Sequence, residues 1–175
     1  SNFGVNASSN ESAILNIRGN NNVINGSDLS DKITVEQGSN NVINGGKGND
    51  TLIMNSENNS LNGGEGNDNI TLNASTNLEV TGGAGADTIN INSDNNTNIS
   101  SGAGNDVIKV NGAHNNINTG EGNNSITVNK NNNTINSGDG DNKYVITSSS
   151  NTITSGKGNN SICDQGDDNN ITTQN

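Results

Sequence analysis

Acidic side chains and glycines recur together in this chain, in a unit nine residues long. The unit is clearest at Gly63-Gly64-Glu65-Gly66-Asn67-Asp68-Asn69-Ile70-Thr71. The same frame returns at residues 45–53, 82–90 and 101–109, and with substitutions across 119–163. Glycines let a backbone turn tightly and direct its carbonyl oxygens inward. A carboxylate in each such turn is chemistry suited to a metal ion. Between successive units lies another with the same beat but different residues, such as Met54-Asn55-Ser56-Glu57-Asn58-Asn59-Ser60-Leu61-Asn62. A fixed short period of this kind marks a solenoid.

The elements that must position these turns are visible in the apolar residues. One column reads Leu15, Ile33, Leu52, Ile70, Ile89, Ile108, Ile126, Tyr144 and Ile162. A second reads Val5, Ile24, Ile43, Leu61, Val80, Ile99, Ile117, Ile135, Ile153 and Ile171. A third follows two residues after the first, from Ile17 and Val35 to Val128 and Ile146. Alternation within a short β-branched stretch predicts a strand with both apolar residues on one face. The expected fold is all-β: a parallel β-roll, or two-sheet β-helix solenoid. It has two strands per turn, 18 or 19 residues per turn and about nine turns. The usual crossover rule makes it right-handed. Strands about 4.8 Å apart give a stack about 43 Å long, with a thin core of Ile, Leu and Val. Nothing has the 3.6-residue period of a helix.

Extra residues fall on one edge only. From Ile24 onward, each step from the second column to the first is nine residues. In the other direction, Ile33 to Ile43, Ile70 to Val80 and Ile89 to Ile99 are ten. The glycine-rich edge therefore holds a fixed geometry, and the Asn-rich edge absorbs insertions as ordinary loops.

Composition sets further bounds. Only 25% of the 175 residues are hydrophobic and the formal net charge is −11. Such a composition leads to disorder unless something besides a thick core orders the chain. The absence of Pro suits a structure built from backbone ladders. The single Cys163 excludes an internal disulfide. The acidic balance argues against nucleic acid and anionic lipid as partners. No apolar run approaches a membrane span, and no signal peptide is recognisable. The pattern is already running at the start of the chain, and nothing after Ile171 looks like a cap. The expectation is one repeat domain over 1–175, with 1–14 as an N-terminal cap region including Phe3 and Val5, cut from a longer chain with neighbouring domains.

The units at 45–53, 63–71 and 82–90 resemble the nonapeptide of hemolysin-type (RTX) calcium-binding repeats: Gly-Gly-x-Gly-x-Asp-x-apolar-x, intact and in frame. In that family, aspartates of adjacent turns share each ion with turn carbonyls, and Ca²⁺ takes six to eight oxygens. The resemblance therefore implies a ladder of metal ligands at Asp31, Asp50, Asp68, Asp87 and Asp106. Two departures stand out. The family carries its motif on both edges, whereas here the second edge is Asn-rich, so one ion row is missing. The ladder also becomes Asn124, Asn142 and Asn160 in the C-terminal turns, with Asp139 and Asp141 nearby, and the first unit, around Asp31, lacks the second and third glycines. The resemblance implies a calcium-stabilised structural or adhesin segment of a secreted or surface bacterial protein, not an enzyme.

Other features carry other readings. The Asn-rich edge (Asn55, Asn58, Asn59; Asn92, Asn95, Asn96; Asn129, Asn131, Asn132) could form amide ladders, which leaves a metal-free Asn-ladder β-helix as an alternative. Outward positions of the second strand form a polar array from Asn98/Ser100 to Asn170/Thr172, interrupted toward the N-terminus by Val23, Val42 and Glu79. Such a face would suit ice, a glycan or a cell-surface ligand, and also any solvated sheet. His114 reads as a turn residue and Cys163 as a free surface thiol. The few basic residues are scattered and form no catalytic constellation.

Overall fold

A computed structural model describes residues 4–73, 78–95 and 98–174. Nineteen strands form two parallel sheets, one of 10 strands and one of 9, and successive strands alternate between them. Each turn thus adds one strand to each sheet. The expected apolar columns are the register itself: Ile43 pairs with Leu61, Leu52 with Ile70, and Ile89 with Ile108. Among the described residues there is no helix.

The strands form where β-branched residues alternate with polar ones, as in Thr88–Ile91, whose Ile89 and Ile91 are fully buried. Facing columns close over a seam from Ile17 to Ile153, with Met54 and Tyr144 as its least regular members. Val5, Leu15, Ile162 and Ile171 pack against it at the two ends and stay partly exposed. Burying one such aliphatic side chain contributes roughly 2 kcal/mol, so a single turn gains little and cohesion comes from its neighbours.

On the Asn-rich edge, one position in each of eight turns among the described residues takes left-handed φ. Asn21, Asn40, Asn58, Asn95, His114, Asn132, Ser150 and Asp168 lie between 55° and 67°. Asn dominates the column because its short polar side chain tolerates that region. The insertion between Ile33 and Ile43 is a bulge: Ile17 faces Val35 but Arg18 faces Gln37, so Glu36 is the extra residue. Glu36 turns out and pairs with Arg18. The other two ten-residue steps contain residues 74–77 and 96–97, which lie outside the described residues, as does Phe3. Of the asparagines that could form amide ladders, Asn55, Asn92 and Asn129 do so together with Asn73 and Asn111: Asn73, Asn92, Asn111 and Asn129 each donate to the Asn of the preceding turn at 2.8–2.9 Å, starting from Asn55.

Candidate metal centre

Each ladder aspartate precedes the first inward apolar residue of a strand by two positions, as Asp50 precedes Leu52 and Asp68 precedes Ile70. Side chains two apart share a face. The carboxylates therefore point into the solenoid with the isoleucines, and Asp31, Asp50, Asp68, Asp87 and Asp106 are only 1–3% exposed.

One oxygen of each carboxylate is spoken for. Oδ1 accepts the backbone N–H of the ladder residue one turn earlier: Asp50 from Asp31, Asp68 from Asp50, Asp87 from Asp68 and Asp106 from Asp87, at 2.7–2.9 Å. The second oxygen is not. Oδ2 of Asp50, Asp68, Asp87 and Asp106 is buried with no hydrogen-bond partner. A buried ionised oxygen without a donor or cation is strongly unfavourable.

The glycines explain what surrounds these oxygens. A Cβ added to Gly63 would strike both Asp68 Oδ2 and the Gly82 carbonyl oxygen. On Gly82 it would meet Asp87 Oδ2 at 2.6 Å and also the Ser101 carbonyl oxygen, and Gly45 repeats the arrangement with Asp50 and Gly63. In each of these three turns, then, a carboxylate oxygen and a carbonyl oxygen of the next turn converge on space that a side chain would fill, whereas Ser101 takes that place in the Asp106 turn. Two acceptors facing one spot require a cation or a proton between them. The second glycine serves the backbone instead. Gly64, at φ 118°, makes the bend that only glycine adopts without strain.

Electrostatics agree. Asp50 and Asp87 are pushed up from 3.8 to about 6, first by burial and then by neighbouring ladder charges, against a lowering from the N–H each accepts. Asp68 is raised by burial, against the N–H of Asp50. Unit charges about 5 Å apart repel by about 3 kcal/mol at an effective dielectric of 20. Among the described residues no point gathers three His, Cys, Asp or Glu side chains. An ion here would rest on two carboxylates of successive turns and on turn carbonyls, a hard all-oxygen set suited to Ca²⁺.

The row has defined limits. Asp31, at its N-terminal end, has no orphan oxygen, because the Ser27 N–H donates to its Oδ2 and the Ser27 hydroxyl lies 2.9 and 3.1 Å from its two oxygens. Beyond Asp106, Asn124, Asn142 and Asn160 keep the Oδ1 contact to the preceding turn at 2.9–3.1 Å. Asp139 and Asp141 are exposed and accept the N–H groups of Lys157 and Asn159, outside the row.

A second inward row escaped the sequence reading. Asn41, Asn59, Asn133, Asn151 and Asn169 also accept the N–H of the preceding turn, at 2.8–2.9 Å, on the Asn-rich edge. Their amide groups donate to turn carbonyls, as Asn41 does to Gly19 and Asn133 to Gly112. The signal was present, since each stands two residues before an apolar column member, the offset of the aspartates. Buried Leu78 interrupts this row. On the glycine edge, an asparagine standing before a ladder member works in the opposite sense, a role Ala86 before Asp87 cannot play. Asn49 and Asn67 accept the N–H groups of Asn67 and Ala86, one turn later.

Stacked parallel turns, with carboxylates and carbonyls converging on one edge, define a β-solenoid with an inward carboxylate row. The family model described as RTX calcium-binding nonapeptide repeat (4 copies) matches residues 18–52, 37–70, 55–77, 79–97, 91–126 and 110–144. These matches cover more than half of the chain, which belongs to that family. No curated protein and no solved structure shows a significant match.

Proposed function

We propose that this chain is a calcium-stabilised structural module, with Asp50, Asp68, Asp87 and Asp106 as its ligands. The observation that carries the reading is the run of four buried carboxylate oxygens without partners. Calcium bound there supplies positive charge to oxygens the protein leaves unsatisfied. The chain's residues do the rest: N–H groups hold each Oδ1, Gly45, Gly63 and Gly82 leave the space beside the first three carboxylates, and carbonyls complete the oxygen set. Asp31 stands at the margin, its oxygens already served by Ser27.

Because carboxylates and core are both assembled by stacking, binding free energy becomes folding free energy. The role is structural rather than catalytic, as a spacer or adhesin segment of a secreted or surface bacterial protein. Thermal unfolding followed by circular dichroism, in excess calcium and again in chelator, tests the reading. The β signal and midpoint should fall in chelator and return with calcium, while magnesium, which demands a tight octahedral shell, should substitute poorly. Superimposed curves would overturn it.

A further inference from the structure

The aspartate row stops after Asp106, and the turns beyond it are closed by a different chemistry. Where Gly45, Gly63 and Gly82 leave space beside a carboxylate, the corresponding residue is Ser101 in the Asp106 turn, its hydroxyl on the Thr119 carbonyl at 2.9 Å, and beyond that row Thr119, Ser137 and Ser155, all buried. Their hydroxyls are engaged: Thr119 with Ser137 at 2.8 Å, Ser137 with the Tyr144 hydroxyl at 2.6 Å, and Ser155 with Asn160 Oδ1 at 2.9 Å. The ladder asparagines add the donor that aspartate lacks. Asn124 Nδ2 donates to the Gly122 carbonyl at 3.2 Å, Asn142 to Gly140 at 3.1 Å and Asn160 to Gly156 at 3.0 Å. An amide N–H thus meets a turn carbonyl, where the earlier turns leave a bare carboxylate oxygen. None of these asparagine or hydroxyl groups is left buried without a partner.

We propose that the C-terminal turns, residues 119–174, stay folded without metal, while the aspartate-bearing turns order only when calcium arrives. The inference rests on the calcium reading above and goes beyond it, since it divides one continuous solenoid into two parts of opposite metal dependence. The junction is a complete strand pairing, Val107–Val110 against Ser125–Val128, with the Ser125 N–H donating to the Asp106 carbonyl at 2.8 Å.

Hydrogen exchange of the intact chain, read by mass spectrometry in chelator and in calcium, tests this. In chelator, peptides within 120–160 should exchange at least tenfold more slowly than peptides within 45–90, and calcium should slow the latter. If 120–160 exchanges in chelator as fast as 45–90 and calcium protects both, the division is refuted while calcium-coupled folding stands. If 45–90 is equally protected in both buffers, the calcium reading fails and the inference with it. Asn142→Asp should abolish the protection of 120–160 in chelator, whereas Asn159→Asp, which adds the same charge at an exposed position, should leave it. Unchanged protection in Asn142→Asp would also overturn the proposal.

Discussion

Replacing Asp87 by Asn should make the calcium-free protein more stable, although it removes a proposed metal ligand. Asp87 Oδ1 accepts the Asp68 N–H at 2.8 Å, and an asparagine oxygen does the same in the next turns, as Asn124 does for Asp106 at 2.9 Å. The substitution therefore keeps the ladder bond. It replaces a buried, partnerless Oδ2 with an amide that can donate to a turn carbonyl. Burial and the charges of Asp68 and Asp106 raise the Asp87 pKa from 3.8 to about 6. At pH 7.5 that shift corresponds to a cost of at most about 3 kcal/mol for the charged fold, less where water screens the turn from outside. A gain of about 2 kcal/mol in chelator follows. At pH 4.5, where the folded carboxyl is mostly protonated, it should shrink to about 1 kcal/mol. Urea unfolding in chelator at the two pH values measures both figures. In saturating calcium the order should reverse, with the variant less stable than the parent. A loss of stability in chelator at pH 7.5 would refute the premise that this carboxylate is buried and uncompensated.

The wild-type protein should show the same sign in its pH dependence. With Asp50 and Asp87 raised in the fold, the penalty of burying their charge is full above about pH 6 and disappears as pH falls toward 3.8. Its melting midpoint in chelator should therefore rise from pH 7 to pH 4.5, while the midpoint in calcium falls as protons displace the ion. Gly63→Ala puts a methyl group against Asp68 Oδ2 and the Gly82 carbonyl. It should cost about 2–3 kcal/mol in calcium and weaken calcium binding in a calorimetric titration. Tyr144→Phe removes the hydroxyl that meets Ser137 at 2.6 Å inside the core. A loss of about 1 kcal/mol, equal in calcium and in chelator, is expected from denaturant unfolding.

The architecture was legible in the sequence because the solenoid repeats one decision many times. A two-residue alternation beside a turn signal fixes which side chains point inward, and every apolar column proved to be a strand register. The ladder aspartates were legible for the same reason, being locked two residues before a strand. Less visible was what each ladder oxygen would meet. Asn124 and Asp106 occupy equivalent places, and only three-dimensional partners show that the amide of one meets the Gly122 carbonyl while the second oxygen of the other meets no donor. Ser27 illustrates the point again: in sequence it reads as a missing glycine, and in the fold it serves both oxygens of Asp31. The asparagines of the second edge that could form amide ladders include Asn55, Asn92 and Asn129 of the outer stack but only Asn59 of the inward row through Asn41 and Asn133.

Neighbouring residues on the glycine edge clasp opposite neighbours. Asp68 holds the backbone of Asp50, one turn earlier, while the adjacent Asn67 holds Ala86, one turn later. Injury to the stack is therefore directional. Truncating Asp68 strips an acceptor from the turn on its N-terminal side, and truncating Asn67 strips one from the turn on its C-terminal side. Two point substitutions at adjacent positions can thus loosen the solenoid on either side of the same turn, so that the mechanical grip between any two turns becomes separately adjustable.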